Sequence, residues 1–287
     1  MVESPLPEEL EDVNLIEPVV LGIVQGATEF LPISSSAHLR IAGEFLPSAR
    51  DPGSAFTAIS QIGTEVAVLV YFRRDIARIV SRWVRSLSGE VAQSDPDARL
   101  GWQIIIGTIP IGLAGYWAQD QIRSAFRSLN LTAVVLIVFG VALGVADRMG
   151  TGTRKLDDFR ISDGLLCGVA QAFALIPGVS RSGATTTMAL ALGFSRPAAA
   201  EYAFLLAIPA VFASGLYELR DSLRAPGPYS LKMIALATCV SFAVGLGAIS
   251  FLMGFISKRN FLPFCFYRIL LGAKLLVLIS KGILRPL

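Results

Sequence analysis

Two short polar stretches interrupt an otherwise apolar chain of 287 residues. The first holds Gln25, Glu29, Ser34, Ser35, Ser36 and His38, and the second holds Ser180, Arg181, Ser182, Gly183 and Thr185, running on to Thr186 and Thr187. Gln25 and Glu29 are four residues apart, so on a helix they share one face and point the same way. The helix would end near Pro32, which frees the serines that follow. In the second stretch a glycine lets backbone N–H groups approach a ligand, a helix starting there adds positive dipole, and the Arg181 guanidinium can grip phosphate oxygens two at a time. A carboxylate, an imidazole, a hydroxyl and an arginine are a sufficient set for phosphoryl transfer.

Roles follow from residue type. Ser35 is the candidate nucleophile, with Ser34 as its rival and a water polarised by Glu29 or His38 as the alternative to both. His38, the one histidine of the chain, sits three residues from Ser35 and is the candidate base. Glu29 could share a divalent cation, Mg²⁺ or Ca²⁺, with phosphate oxygens, because the sequence offers no cage of several acids there. The plain alternative is a structural acid paired with Arg181. Gln61, Glu65 and Glu201 lie on neighbouring apolar stretches and read as packing partners or as supports behind the site rather than as catalysts.

The elements that must position these groups are membrane helices. Hydrophobic residues make up 53% and charged residues 16%, with mean hydropathy +0.61; a soluble domain carries roughly 25% charged residues. That composition excludes a disordered chain. Cys167, Cys239 and Cys265 lie within apolar runs without framework spacing, which excludes a disulfide scaffold. A single histidine rules out a histidine-rich zinc centre, and a net charge of +3 is too small for a nucleic-acid footprint. The class left is an all-α polytopic membrane protein.

Residues 1–14 are acidic and proline-broken and read as an exposed N-terminal arm. Spans are expected at 55–72, 102–118, 129–146, 197–217, 231–256 and 263–280, six in all. Residues 15–46 and 162–193 fit poorly as plain spans, since each apolar helical run stops at a polar, proline-marked loop and restarts as a second short helix. Broken backbone at membrane depth survives where protein or trapped water satisfies it, so each is expected to be a re-entrant hairpin lining a cavity.

The hairpins also resemble each other. Gly22, Gln25, Ser34 and Ser36 stand opposite Gly168, Gln171, Ser180 and Ser182, and Tyr71, Arg74 and Asp75 opposite Tyr217, Arg220 and Asp221, every pair 146 apart. This internal duplication predicts a first repeat over 15–147, a cytoplasmic linker over 148–161 and a second repeat over 162–287. Each repeat has one hairpin and three spans, an odd number of crossings that inverts the second relative to the first. With the first hairpin entering from outside, thirteen lysines and arginines fall on inner loops and nine on outer ones. That is the expected direction of bias, and the run from Arg73 to Arg85 is its strongest cue.

QGATEFLPISSSAH (25–38) and PGVSRSGATTT (177–187) resemble the two signature motifs of the undecaprenyl-diphosphate phosphatase family, the bacitracin-resistance proteins. The similarity runs from about residue 15 to near the end. It implies a multi-pass enzyme of the bacterial cell (inner) membrane that removes the terminal phosphate of a polyprenyl diphosphate lipid, with its active site toward the outer, periplasmic side. The family's acidic motif falls on Gln25 and Glu29, its serines on Ser34 and Ser35, its histidine on His38, and its arginine loop on Ser180, Arg181, Ser182 and Thr185. Many members carry a second glutamate where this chain has Gln25, which moves weight onto Glu29. The partners implied are that lipid and the bilayer, with no nucleic acid and with a homodimer left open. A transporter or flippase of a polyprenyl phosphate shares the architecture but would not need Ser35, His38 and Arg181.

Overall fold

The computed structural model describes residues 15–46, 52–117, 128–224 and 229–284. The N-terminal arm lies outside the described residues. Eleven α-helices occur among them, with no strand: α1 (Ile16–Glu29), α2 (Ser35–Gly43), α3 (Gly53–Tyr71), α4 (Arg73–Leu87), α5 (Pro96–Trp117), α6 (Leu129–Met149), α7 (Ile161–Ala172), α8 (Arg181–Ala191), α9 (Arg196–Ser222), α10 (Leu231–Ile256) and α11 (Leu262–Ser280). Five of these, α3, α6, α9, α10 and α11, are long and apolar enough to cross a membrane. The sixth expected span became α5, 22 residues long, whose apolar run is diluted by Gln103, Thr108, Pro110 and several glycines.

Both expected helix breaks occur. α1 stops at Glu29 and α2 starts at Ser35; α7 passes into a 3₁₀ turn over Phe173–Leu175, and α8 starts at Arg181. Ser34 and Ser180, 146 apart, are the two non-glycine residues with positive φ among the described residues, at 74° and 68°. Each then caps the helix it precedes: Ser34 Oγ accepts from the Ala37 N–H and Ser180 Oγ from the Gly183 N–H. The cap satisfies one of the orphan donors of a helix start and offsets part of the cost of a left-handed residue with a side chain.

Packing fixes the first helix of each broken segment against a long neighbour. α1 packs along α10 and α7 along α5, while α3 lies against α9 and α10. Close approach at the first contact depends on glycine: a Cβ on Gly22 would sit 2.6 Å from the Ala237 carbonyl oxygen, and one on Gly26 2.7 Å from that of Ser241. Gly168, the duplicate of Gly22, presses in the same way on the backbone of Gly107 in α5. The largest apolar cluster joins Phe30, Phe72, Phe159, Phe194, Tyr202, Phe204 and Phe261. Phe159 stacks between Phe194 and Tyr202 at 3.7 and 4.0 Å.

The basic run of α4 is less free than its sequence suggests. Arg78 pairs with Asp75 and Asp97, Arg82 with Asp95, and Arg85 with Glu90, while Val80, Val84 and Leu87 on the same helix are exposed.

Candidate active site

The last turn of α1 aims two side chains at the break that follows it. Glu29 receives most of the polar traffic. Ser35 Oγ donates to Glu29 Oε2 at 2.5 Å, and Gln25 Nε2 donates to the same oxygen at 2.7 Å. From the other hairpin the Arg181 guanidinium forms an ion pair with Glu29 Oε1, and Ser182 Oγ donates to the Glu29 backbone carbonyl at 3.2 Å. Residues more than 150 positions apart thus meet on one carboxylate. Both partners of the ion pair are largely buried, the side chains 14% and 8% exposed, so the interaction is far less screened than at a surface.

A cavity of about 540 Å³ opens beside this cluster. Glu29, Ser34, Ser35, Ser36, Ser180 and Arg181 line it, together with the apolar Ile111, Ala174, Leu175, Ala210 and Ala213 and with further polar groups at Ser54, Gln61, Thr108, Tyr116, Ser214, Tyr217 and Glu218. The two loops repeat one another inside it: Ser34 Oγ lies 3.2 Å from Ser36 Oγ, and Ser180 Oγ 3.3 Å from Ser182 Oγ. Of the other expected site residues, Gln25, Ser182, Gly183 and Thr185 stand behind the lining. Thr185 Oγ1 is buried without a hydrogen-bond partner among the described residues, as is Gln25 Oε1.

His38 points elsewhere. Its Nδ1 is 2.7 Å from the Ser34 carbonyl oxygen and its Nε2 2.7 Å from the Tyr267 hydroxyl, so both ring nitrogens are engaged. The hydroxyl–imidazole pair expected from the spacing is replaced by a hydroxyl–carboxylate pair, because the helix break swings Ser35 back over Glu29. In this arrangement His38 ties the Ser34 backbone to α11.

Arg268 was passed over in sequence, hidden in the span 263–280. Fully buried, it donates to the carbonyls of Pro32 (3.0 Å), Gly178 (2.8 Å), Val179 (3.0 Å) and Leu136 (3.3 Å). One guanidinium therefore clamps both broken loops, satisfying carbonyls that neither helix can satisfy. Charge inside a largely apolar span, at Arg268 and Lys274, was the available signal.

A divalent cation does not fit this donor set. Both Glu29 oxygens already accept from protein donors, one of them from the Arg181 guanidinium. Among the described residues no three His, Cys, Asp or Glu side chains cluster to hold a metal.

With this geometry in place, comparison with known proteins is direct. Residues 18–274 match the family described as bacitracin resistance protein BacA. The chain is 58% identical over 272 residues to an undecaprenyl-diphosphatase of Micrococcus luteus, covering 94% of this chain and 98% of that one. An undecaprenyl-diphosphatase of Clavibacter michiganensis subsp. michiganensis is 58% identical over 269 residues, with coverage of 94% and 98%. One of Thermobifida fusca is 54% identical over 273 residues, with coverage of 95% and 93%.

Proposed function

We infer that this chain, which belongs to the bacitracin resistance protein BacA family, is an undecaprenyl-diphosphatase, a membrane hydrolase that releases the terminal phosphate of a C55 isoprenyl diphosphate and leaves the lipid monophosphate. The observation that carries the chemistry is the junction of Ser35, Glu29 and Arg181 on a cavity that also has apolar lining from Ile111, Ala174, Leu175, Ala210 and Ala213. A diphosphate headgroup suits the first and a prenyl chain the second.

The reaction follows from the hydrogen bonds. As Ser35 Oγ attacks the terminal phosphorus, its proton passes along the existing bond to Glu29 Oε2. The bond from that phosphorus to the bridging oxygen breaks, and its electron pair leaves with the lipid monophosphate. Arg181, released from Glu29 as the carboxylate is neutralised, faces the phosphoryl oxygens with its planar fork, and the N–H groups at the start of α8 add positive potential. Water then attacks the phosphoserine while Glu29 returns its proton to Oγ. The proton lost by the water replaces it on the carboxylate and goes on to solvent, and inorganic phosphate departs. Ser34 and Ser36 are placed to orient the phosphate; His38 and Gln25 hold the loop and the base.

The recurrence of one loop geometry at Ser34 and Ser180, and of one glycine contact at Gly22 and Gly168, supports an inverted repeat of two hairpin-bearing halves. On this reading α5 is a sixth span, the hairpins are re-entrant, and the cavity faces the outer side of the cell membrane. The test is phosphate release from undecaprenyl diphosphate by the purified protein in detergent. Stoichiometric monophosphate lipid and phosphate are expected; lipid turned over by the parent protein without phosphate release would defeat the reading.

A further inference from the structure

The substrate is far longer than the cavity that receives its headgroup. A cavity of about 540 Å³ is of the size that encloses a drug-sized molecule, and a C55 chain is several times larger than that. The tail must therefore leave the cavity, and it must leave into hydrocarbon, because apolar surface drawn through water is costly in proportion to its area.

Two helices part where such an exit is needed. α5 and α9 run side by side in the same direction and touch at two levels: the Tyr202 hydroxyl donates to the Gln103 carbonyl at 3.3 Å, and a Cβ on Gly107 would sit 2.9 Å from Leu206 Cδ1. Just past this contact each helix contains a proline, Pro110 in α5 and Pro209 in α9, which removes a backbone hydrogen bond and lets the axis bend. Beyond the prolines the cavity lies between them, lined by Ile111, Gly112 and Gly115 from one helix and Ala210, Ala213 and Ser214 from the other. Spacings of three and four put these residues on one stripe of each helix. A Cβ on Gly112 or Gly115 would meet no atom of another element within 4 Å, so close packing does not account for these two glycines as it does for Gly107.

The gap opens toward lipid. Gly112 and Ala213 are exposed, and the side chains flanking them, Leu113 on α5 and Leu216 on α9, are large, apolar and about half exposed. Tyr116 and Tyr217, each four residues further on, are exposed as well. Tyrosines of this kind sit at headgroup level, which sets Gly112 and Ala213 about 6 Å deeper, within the hydrocarbon.

We propose that the gap between α5 and α9 is the portal through which the prenyl chain passes from the cavity into the bilayer, and that Gly112 and Ala213, by their lack of bulk, determine acceptance of long chains. The inference rests on the diphosphatase reading, with α5 as a span.

The test places bulk on either side of the gap, as Gly112→Leu and Ala213→Leu, with Leu113→Phe on the neighbouring lipid-facing stripe as control. Each is checked by thermal unfolding and assayed in detergent for phosphate release from undecaprenyl diphosphate and from geranyl diphosphate, a chain the cavity can enclose. The leucines are expected to lower kcat/KM roughly tenfold for the long lipid and to leave the short one within about twofold, and the control to leave both within about twofold. The two leucines act from opposite helices, so either one that folds decides. A second arm uses an undecaprenyl diphosphate analogue with a photoreactive group partway along its chain, which decides even where the parent does not accept the short lipid. Irradiated with the parent protein, it should mark α5 and α9 beyond Pro110 and Pro209. An equal loss with both lipids, no loss with the long one, or adducts confined to other helices overturns the proposal. A parent that releases phosphate from neither lipid would instead overturn the diphosphatase reading.

Discussion

The Ser35 hydroxyl donates to the Glu29 carboxylate at 2.5 Å across the break between α1 and α2. Only the broken helix permits this contact. In a continuous helix residues six apart lie on different faces, and the left-handed turn at Ser34 is what folds one back over the other.

If serine and carboxylate act as one unit, their losses do not add. Ser35→Ala and Glu29→Gln are each expected to lower kcat by on the order of a hundredfold or more, and the double variant little beyond the worse single. Steady-state phosphate release checks this; a double loss equal to the product of the two would mean the groups work independently.

Arg181→Lys retains a positive charge but exchanges a planar fork for a compact ammonium. The variant should keep its fold, read by thermal unfolding, and lose on the order of a hundredfold in kcat/KM. Turnover near the parent's would remove Arg181 from phosphate recognition.

Arg268→Met leaves the buried loop carbonyls of Pro32, Gly178 and Val179 without this donor, each worth about 1–3 kcal/mol when unsatisfied, while the Leu136 carbonyl keeps its bond within α6. Thermal unfolding in detergent should shift sharply downward and activity fall with it. A variant as stable as the parent would show that the loops are held by other means.

Much of this arrangement was legible in the sequence. Period and proline placed both helix breaks to within a few residues, Pro32 and Pro177 lying in the polar loops that follow, whereas Pro110 and Pro209 sit inside α5 and α9. The 146-residue offset anticipated that Ser34 and Ser180 would share a conformation. The partner of Ser35 was not legible: spacing along a helix suggested His38, whereas a left-handed residue at the break redirects the hydroxyl to Glu29. Sequence spacing cannot register one such dihedral. Arg268 was missed for a related reason, since its partners are backbone carbonyls on three distant segments and leave no trace in side-chain pattern.

Gly26→Val tests the close approach of α1 to α10. Its Cβ would meet the Ser241 carbonyl and Val244 Cβ at 2.7 and 2.8 Å, and overpacking of this kind costs about 1–3 kcal/mol. A lower unfolding midpoint is expected, with activity reduced because α1 carries both Gln25 and Glu29. Unchanged stability would place the helices further apart than described.

The central claim is that Ser35 carries the phosphoryl group between lipid and water. Substrate labelled at its terminal phosphate, mixed with purified protein and quenched in acid within one turnover, tests it most directly. Label is expected on the parent protein at Ser35 and none on Ser35→Ala, with phosphate release lost in the same variant. Unlabelled parent protein together with substantial phosphate release by Ser35→Ala would contradict it and leave a directly attacking water.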